Sequence, residues 1–168
     1  MSHQPDETVQ RISTALQHSA LAHPLRQRLL FALSGRPSTI SRLAAQLGVN
    51  KGSVSHHLRV LSEAGLVRGA GTRQVRGGTE KYFRRTAERF HVAEPQAEGT
   101  AALLGAVAQE LDRSPGGHTL ALRHLRLSPA KAARLAEALA ALVDETEEDA
   151  EGEPVHGLLV TLYQQAGT

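Results

Sequence analysis

The stretch GVNKGSVSHHLRVLSEAGLV, residues 48–67, carries a cap residue, a helical apolar rhythm, a stop and two adjacent histidines. Asn50 suits a helix N-cap, because its side chain accepts a bond from a free amide of the first turn, and Gly65 supplies the stop. On a wheel of about 100° per residue, Val54, Leu58 and Leu61 fall together and must be buried. Gly52, His56, Arg59 and Glu63 point roughly opposite, with Ser55 beside them, and His57 falls at the edge of the buried face. Just upstream, STISRLAAQLG (38–48) predicts a shorter helix. Ser38 or Thr39 caps it, Ile40, Leu43, Ala44 and Leu47 form its stripe, and Gly48 suits the left-handed position past its end. Two helices joined by a tight turn at 48–50 make a helix-turn-helix.

Working outward, PLRQRLLFALSG (24–35) predicts another helix, with Pro24 in its first turn, an apolar face of Leu25, Leu29, Leu30 and Leu33, and a stop at Gly35 and Pro37. Val9, Ile12, Leu16 and Ala20 stand at helical spacing before it, so residues 6–23 also predict a helix. Downstream, Gly77-Gly78 signals a hairpin turn between strands at 67–75 and 80–85, and Gly69 and Gly71 suggest a bulge. Tyr82 and Phe83 alternate there, one for the core and one for the stem of the hairpin. Seven basic residues follow the helix-turn-helix: Arg68, Arg73, Arg76, Lys81, Arg84, Arg85 and Arg89.

Charge divides the 168-residue chain. Residues 1–90 hold 14 Lys and Arg against 5 Asp and Glu; residues 91–168 hold 5 against 12. The basic half fits a polyanion that the acidic half would repel. Hydrophobic residues make up 40% and aromatics 3%, so Leu, Ala and Val must build the core of a globular protein. The absence of cysteine excludes disulfides, thiolate zinc sites and Cys nucleophiles. No apolar run approaches the roughly 18 residues of a membrane span, and the polar start MSHQPDETVQ lacks a signal-peptide core. A cytoplasmic location is expected.

The acidic half, 91–168, reads as a second domain after a linker at HVAEPQAEGT. A helix is predicted over 98–111, with Leu104, Val107, Ala108 and Leu111 on one face. HTLALRHLRLS predicts a strand, and Ser128 caps a long helix with Pro129 at its first position and a Leu135/Leu139/Leu142 stripe, either core or dimer seam. VHGLLVTLYQ predicts a last strand, making an α-β-α-β order. The fold class is mainly α with a small β component: a helix-turn-helix with a hairpin over 1–90, then the α-β-α-β region.

The helix at residue 51 can enter a major groove, where Lys51, Ser55, His56 and Arg59 reach base edges or backbone. Lys51, Gly52 and Ser53 form its first turn, whose free amides and dipole favour a phosphate, and Gly52 allows close approach. Adjacent His56 and His57 point about 100° apart and share one metal ion poorly, since two ligands on a helix want a spacing of three or four. Ser53 or Ser55 beside His56 is a Ser/His pair in sequence alone, without a buried third partner or oxyanion donors. The run at 144–153 lacks the ligand order of a calcium loop. No catalytic residue, metal site or cofactor is expected.

LAHPLRQRLLFALSG, ISRLAAQLGVNKGSVSHHLRVLSEAGLV and the RQVRGGTEKYFR hairpin resemble bacterial ArsR-type winged-helix transcriptional regulators over about residues 19–90. RHLRLSPAKAARLAEALAALVDE followed by GEPVHGLLVTLYQ is similar to C-terminal regions of actinobacterial members. The resemblance implies a homodimer, a recognition helix over about 51–61, and a wing on the neighbouring minor groove or backbone. Metal-sensing relatives use Cys clusters, or Asp, His and Glu on a terminal helix; this chain has no Cys, and residues 129–148 hold no His. The expected partners are a double-stranded DNA operator, a second copy and an effector of unknown identity, without a membrane. The DNA contacts expected are Ser38, Thr39, Asn50, Lys51, Gly52, Ser53, Ser55, His56, Arg59, Arg73, Arg76 and Lys81. The competing reading is a winged-helix protein-interaction module without its own operator, against which the basic face argues.

Overall fold

The computed structural model describes residues 9–166 apart from 93, 148 and 151. The chain forms two compact units, one ending at residue 118 and one starting at 119. The first holds β1 (Val9–Ile12), α1 (Ala15–Leu21), α2 (Pro24–Ala32), β2 (Ser38–Thr39), α3 (Ile40–Leu47), α4 (Lys51–Glu63), β3 (Val67–Val75), β4 (Gly78–Arg85), β5 (Arg89–Val92) and α5 (Ala97–Asp112). The second holds α6 (Pro129–Glu145).

The helical spacing at the N-terminus misled. Val9–Ile12 is a strand, paired in parallel with Arg89–Val92. The helix starts only after Thr14, whose hydroxyl accepts from the Gln17 amide at 3.2 Å while the Gln17 side chain accepts from the Thr14 amide. This reciprocal capping box sets the boundary; residues 6–8 lie outside the described residues.

Three consecutive residues of α2 tie the helices together. Arg26 donates to the Ala20 and Ser19 carbonyls at the end of α1, and buried Gln27 donates to the Leu21 carbonyl at 2.8 Å. Arg28 donates to the Leu47 carbonyl at the end of α3, at 3.0 Å. Carbonyls that a helix end leaves without a partner are thereby satisfied. Leu29, Leu43, Val54, Leu58, Leu61 and Leu66 are fully buried between these helices and the sheet.

The second sheet runs β2-β4-β3 and is antiparallel. Val75 pairs with Gly78, so Arg76-Gly77 is the turn, and Gly77 takes φ +106°. The register slips between Gly69 and Thr72, where Ala70 and Gly71 oppose Tyr82 alone. Gly71, at φ +106°, supplies the backbone that this bulge needs.

Helix α5 packs on α1 and α2, which is why the units divide at 118/119 rather than at 90/91. Its buried residues are Ala102 and Ala106, whereas Leu104 is exposed. The expected Leu104/Ala108 face is the wrong one, because close approach to α2 selects small side chains.

In the second unit, Ser128 caps α6 by accepting from the Lys131 amide at 3.3 Å. Nothing on α6 is buried. The expected strands at 118–127 and 155–163 do not form among the described residues. A strand is held by a ladder to a neighbour, and neither segment has one here.

Candidate nucleic-acid interface

The turn between α3 and α4 is built from three backbone decisions. Gly48 takes φ +67° and its amide reaches the Ala45 carbonyl; the Val49 amide bonds the Ala44 carbonyl at 3.0 Å; Asn50 turns extended and caps α4. Asn50 Oδ1 accepts from the Ser53 amide at 2.7 Å. A Cβ on Gly52 would stand 3.3 Å from that oxygen, so Gly52 leaves room for the cap as well as an open first turn.

With Val54, Leu58 and Leu61 buried, α4 turns Lys51, Gly52, Ser55, His56 and Arg59 to the exterior, and Ser53 is half-buried. His56 Nδ1 lies 3.3 Å from Arg59 Nη2. A guanidinium only donates, so the imidazole nitrogen accepts, and the two side chains orient one another.

The neighbouring His57 is half-buried and faces inward, as the wheel predicts. Its Nδ1 lies 3.4 Å from Arg26 Nη1, and its ring is 4.4 Å from that of His23. Burial, then the charges of His23, Arg26 and His56, push its pKa down to about 4. His23 is also lowered, by burial first and then by Arg26 and His56. Each of the three rings has a separate engagement: His23 Nδ1 accepts from the Leu25 amide, His57 faces Arg26, and His56 faces Arg59. Among the described residues no group of three or more His, Cys, Asp or Glu is placed to hold a metal ion.

The hairpin sorts its basic residues. Arg73 and Arg76 are exposed, Arg76 in the turn and Arg73 opposite Glu80. Lys81 is exposed but lies along the stem, its Nζ 5.3 Å from the Phe83 ring centroid. Arg85 belongs to the fold: its guanidinium sits 5.1 Å over Phe90, and its Nε donates to the Ala87 carbonyl at 3.1 Å.

Ser38 and Thr39 stand apart from the exposed residues of α4 and the hairpin. They are 8% and 2% exposed within β2, and the Thr39 hydroxyl accepts the Arg42 amide as the cap of α3. The Thr39 hydroxyl is thus engaged within the fold.

Residues 21–70 match the family model of a helix-turn-helix domain. A crystal structure named as a possible transcriptional regulator for arsenical resistance is 31% identical, over 60% of this chain and 93% of that one, with a TM-score of 0.35. Residues 21–70 thus fall to a helix-turn-helix domain family. Also similar is the homodimeric winged helix-turn-helix DNA-binding domain of a possible ArsR-family regulator from Mycobacterium bovis, 24% identical over 61% of this chain and 82% of that one, TM-score 0.36. The transcriptional repressor BigR from Xylella fastidiosa is 20% identical over 58% and 84%, TM-score 0.36. No curated protein matches the chain.

The sequence reading passed over Arg42, an exposed cation at the start of α3 whose guanidinium stands 6.0 Å over the Tyr82 ring. The signal would have been an Arg three residues past the Thr39 cap, but its aromatic partner lies forty residues away and only the fold joins them. The cavity lined by His18, Leu21, Gln27 and Thr100 encloses about 60 Å³, against the roughly 300 Å³ or more of a small-molecule pocket. Among the described residues no helix is long and apolar enough to cross a membrane.

Proposed function

We propose that this regulator binds an operator as a homodimer, with α4 in the major groove and the wing on the adjoining backbone or minor groove. The observation that carries the reading is the outer face of α4. Lys51, Gly52, Ser55, His56 and Arg59 form one exposed polar strip, capped by Asn50 and free of acidic residues until Glu63. Beside it in the chain stands a hairpin whose turn and outer strand expose Arg76 and Arg73.

Within that strip, Arg59 reads a base edge and His56 holds its guanidinium in place, while Lys51 and the first-turn amides of Gly52 and Ser53 take a phosphate. Arg73, Arg76 and Lys81 add charge contacts that position the protein without reading sequence. Two copies present two such helices to a near-palindromic site, with half-site centres about 34–36 Å apart. An effector acts by favouring one spacing of the two helices over another.

The test is a salt titration of binding to duplex DNA carrying sites recovered from genome-wide binding. Affinity should fall with a log–log slope of about −0.9 for each phosphate neutralised, and specific sites should exceed random sequence by on the order of a thousandfold. A flat salt response would sink the reading.

A further inference from the structure

We infer that Arg42 is a phosphate contact at the root of the wing, and that Tyr82 is the positioning residue that holds it there. The inference rests on the DNA-binding reading above and adds a further contact to it, on the element that links α4 to the hairpin.

The sheet brings the two residues together. Thr39 pairs with Tyr82 where β2 meets β4. The Thr39 hydroxyl then accepts the Arg42 amide at 3.3 Å, which fixes the first turn of α3 next to that pairing. The Arg42 guanidinium stands 6.0 Å over the Tyr82 ring, at the reach of a cation–π contact. Tyr82 is half-buried and Arg42 exposed, so the ring is a fixed platform and the cation above it stays open to a partner. Helix α3, ISRLAAQL, holds no acidic residue that would neutralise the charge or repel a phosphate.

Three cations of this unit stand over aromatic rings among the described residues, and they differ in what they join. Arg85 over Phe90 also donates to the Ala87 carbonyl and belongs to the fold. Lys81 over Phe83 stays within one strand. Arg42 over Tyr82 crosses from the helix-turn-helix to the hairpin. A guanidinium over a ring face keeps N–H donors at its edge, where a phosphate takes two of them side by side.

Position gives that charge a task. Tyr82 faces the bulge at Ala70 and Gly71, where the stem ends and the outer ladder begins. At its other end α3 passes through the turn at 48–50 into α4. With α4 in a major groove and the wing on the adjoining backbone, the phosphates between them face this element, since the first helix of a helix-turn-helix crosses the backbone. An arginine there adds affinity and register but reads no sequence. Because Tyr82 belongs to the hairpin, the same contact ties the wing to the helix-turn-helix.

The experiment titrates salt against binding of the full-length chain to the recovered duplex sites and to random duplex. It compares the parent with Arg42→Ala, Tyr82→Phe, Tyr82→Leu, and Arg42→Ala together with Tyr82→Leu, each measured below its own thermal transition. Arg42→Ala should lower the salt slope by about 0.9 for each phosphate it leaves, and weaken specific and random sites alike, by roughly fivefold per contact at about 0.15 M salt. Tyr82→Phe keeps the ring face and should bind as the parent does. Tyr82→Leu keeps the charge of Arg42 but releases it, so Arg42→Ala should cost much less in that background than in the parent. A parental slope in Arg42→Ala, while Arg59→Ala still weakens binding, overturns the inference and leaves the DNA reading standing. An undiminished cost of Arg42→Ala beside Tyr82→Leu, or a loss in Tyr82→Phe, overturns the part assigned to the Tyr82 ring. A flat salt response in the parent overturns both readings together.

Discussion

His57 on α4 and Arg26 on α2 meet at 3.4 Å through the imidazole Nδ1 and a guanidinium nitrogen. A guanidinium cannot accept, so the contact exists only while the imidazole nitrogen carries no proton. The interior-facing histidine is therefore held neutral, with a pKa near 4 against an ordinary 6.5, by burial first and by neighbouring His23 and Arg26 next.

This fixes a pH dependence. Above pH 6.5 the site is neutral in folded and unfolded chains alike. Between 6.5 and about 4 the unfolded chain binds a proton that folded His57 refuses, so stability is lost as pH falls through that window. His23 acts in the same direction. Urea midpoints measured from pH 7 to pH 4 should decline, and His57→Gln should decline less steeply; equal slopes would remove His57 from the account.

Arg59→Ala should cost about 1–3 kcal/mol on the preferred operator and much less on random DNA, the mark of a base contact. His56→Ala should give a smaller loss with the same sequence pattern, because it releases the guanidinium that it holds at 3.3 Å. Uniform weakening on every sequence would reduce Arg59 to a phosphate contact.

Arg73→Ala with Arg76→Ala should lower both affinity and the salt slope, the slope by about one unit for each phosphate that the wing no longer neutralises. Arg76 should account for the larger part, because Arg73 stands opposite Glu80 and is partly neutralised already. An unchanged slope would take the wing off the DNA.

Asn50→Ala removes the acceptor that holds the Ser53 amide at 2.7 Å and should destabilise the fold by about 1 kcal/mol. Asn50→Asp keeps an acceptor and should restore most of that stability. A thermal melt of the three proteins checks the order.

Local signals carried the helix-turn-helix because each one is complete within a few residues. The Thr39 and Asn50 caps, the left-handed Gly48 and Gly65, and the burial of Val54, Leu58 and Leu61 all follow from near neighbours. The misreadings share a different origin. Val9 and Ile12 fit a helix until β5 arrives from eighty residues away to pair with them. Ser38 and Thr39 were equal candidates for the cap of α3 until pairing with β4 set Ser38 opposite Phe83 and left Thr39 as the cap. Leu104 looked like core until Ala102 and Ala106 proved the better fit to α2. The apolar alternation after residue 118 suits strands, yet a single chain provides no ladder for it among the described residues.

The slip in register at Gly71 gives the hairpin a joint. The stem, Val67 to Gly69 against Phe83 to Arg85, is anchored beside the core, while Thr72 to Val75 against Gly78 to Lys81 forms a short ladder of its own. The outer ladder is set off from the stem by the bulge at Ala70 and Gly71. If the wing meets DNA as proposed, its basic tip would sit beyond that joint, and the stiffness of the duplex itself would enter the choice of site, at positions that no side chain touches.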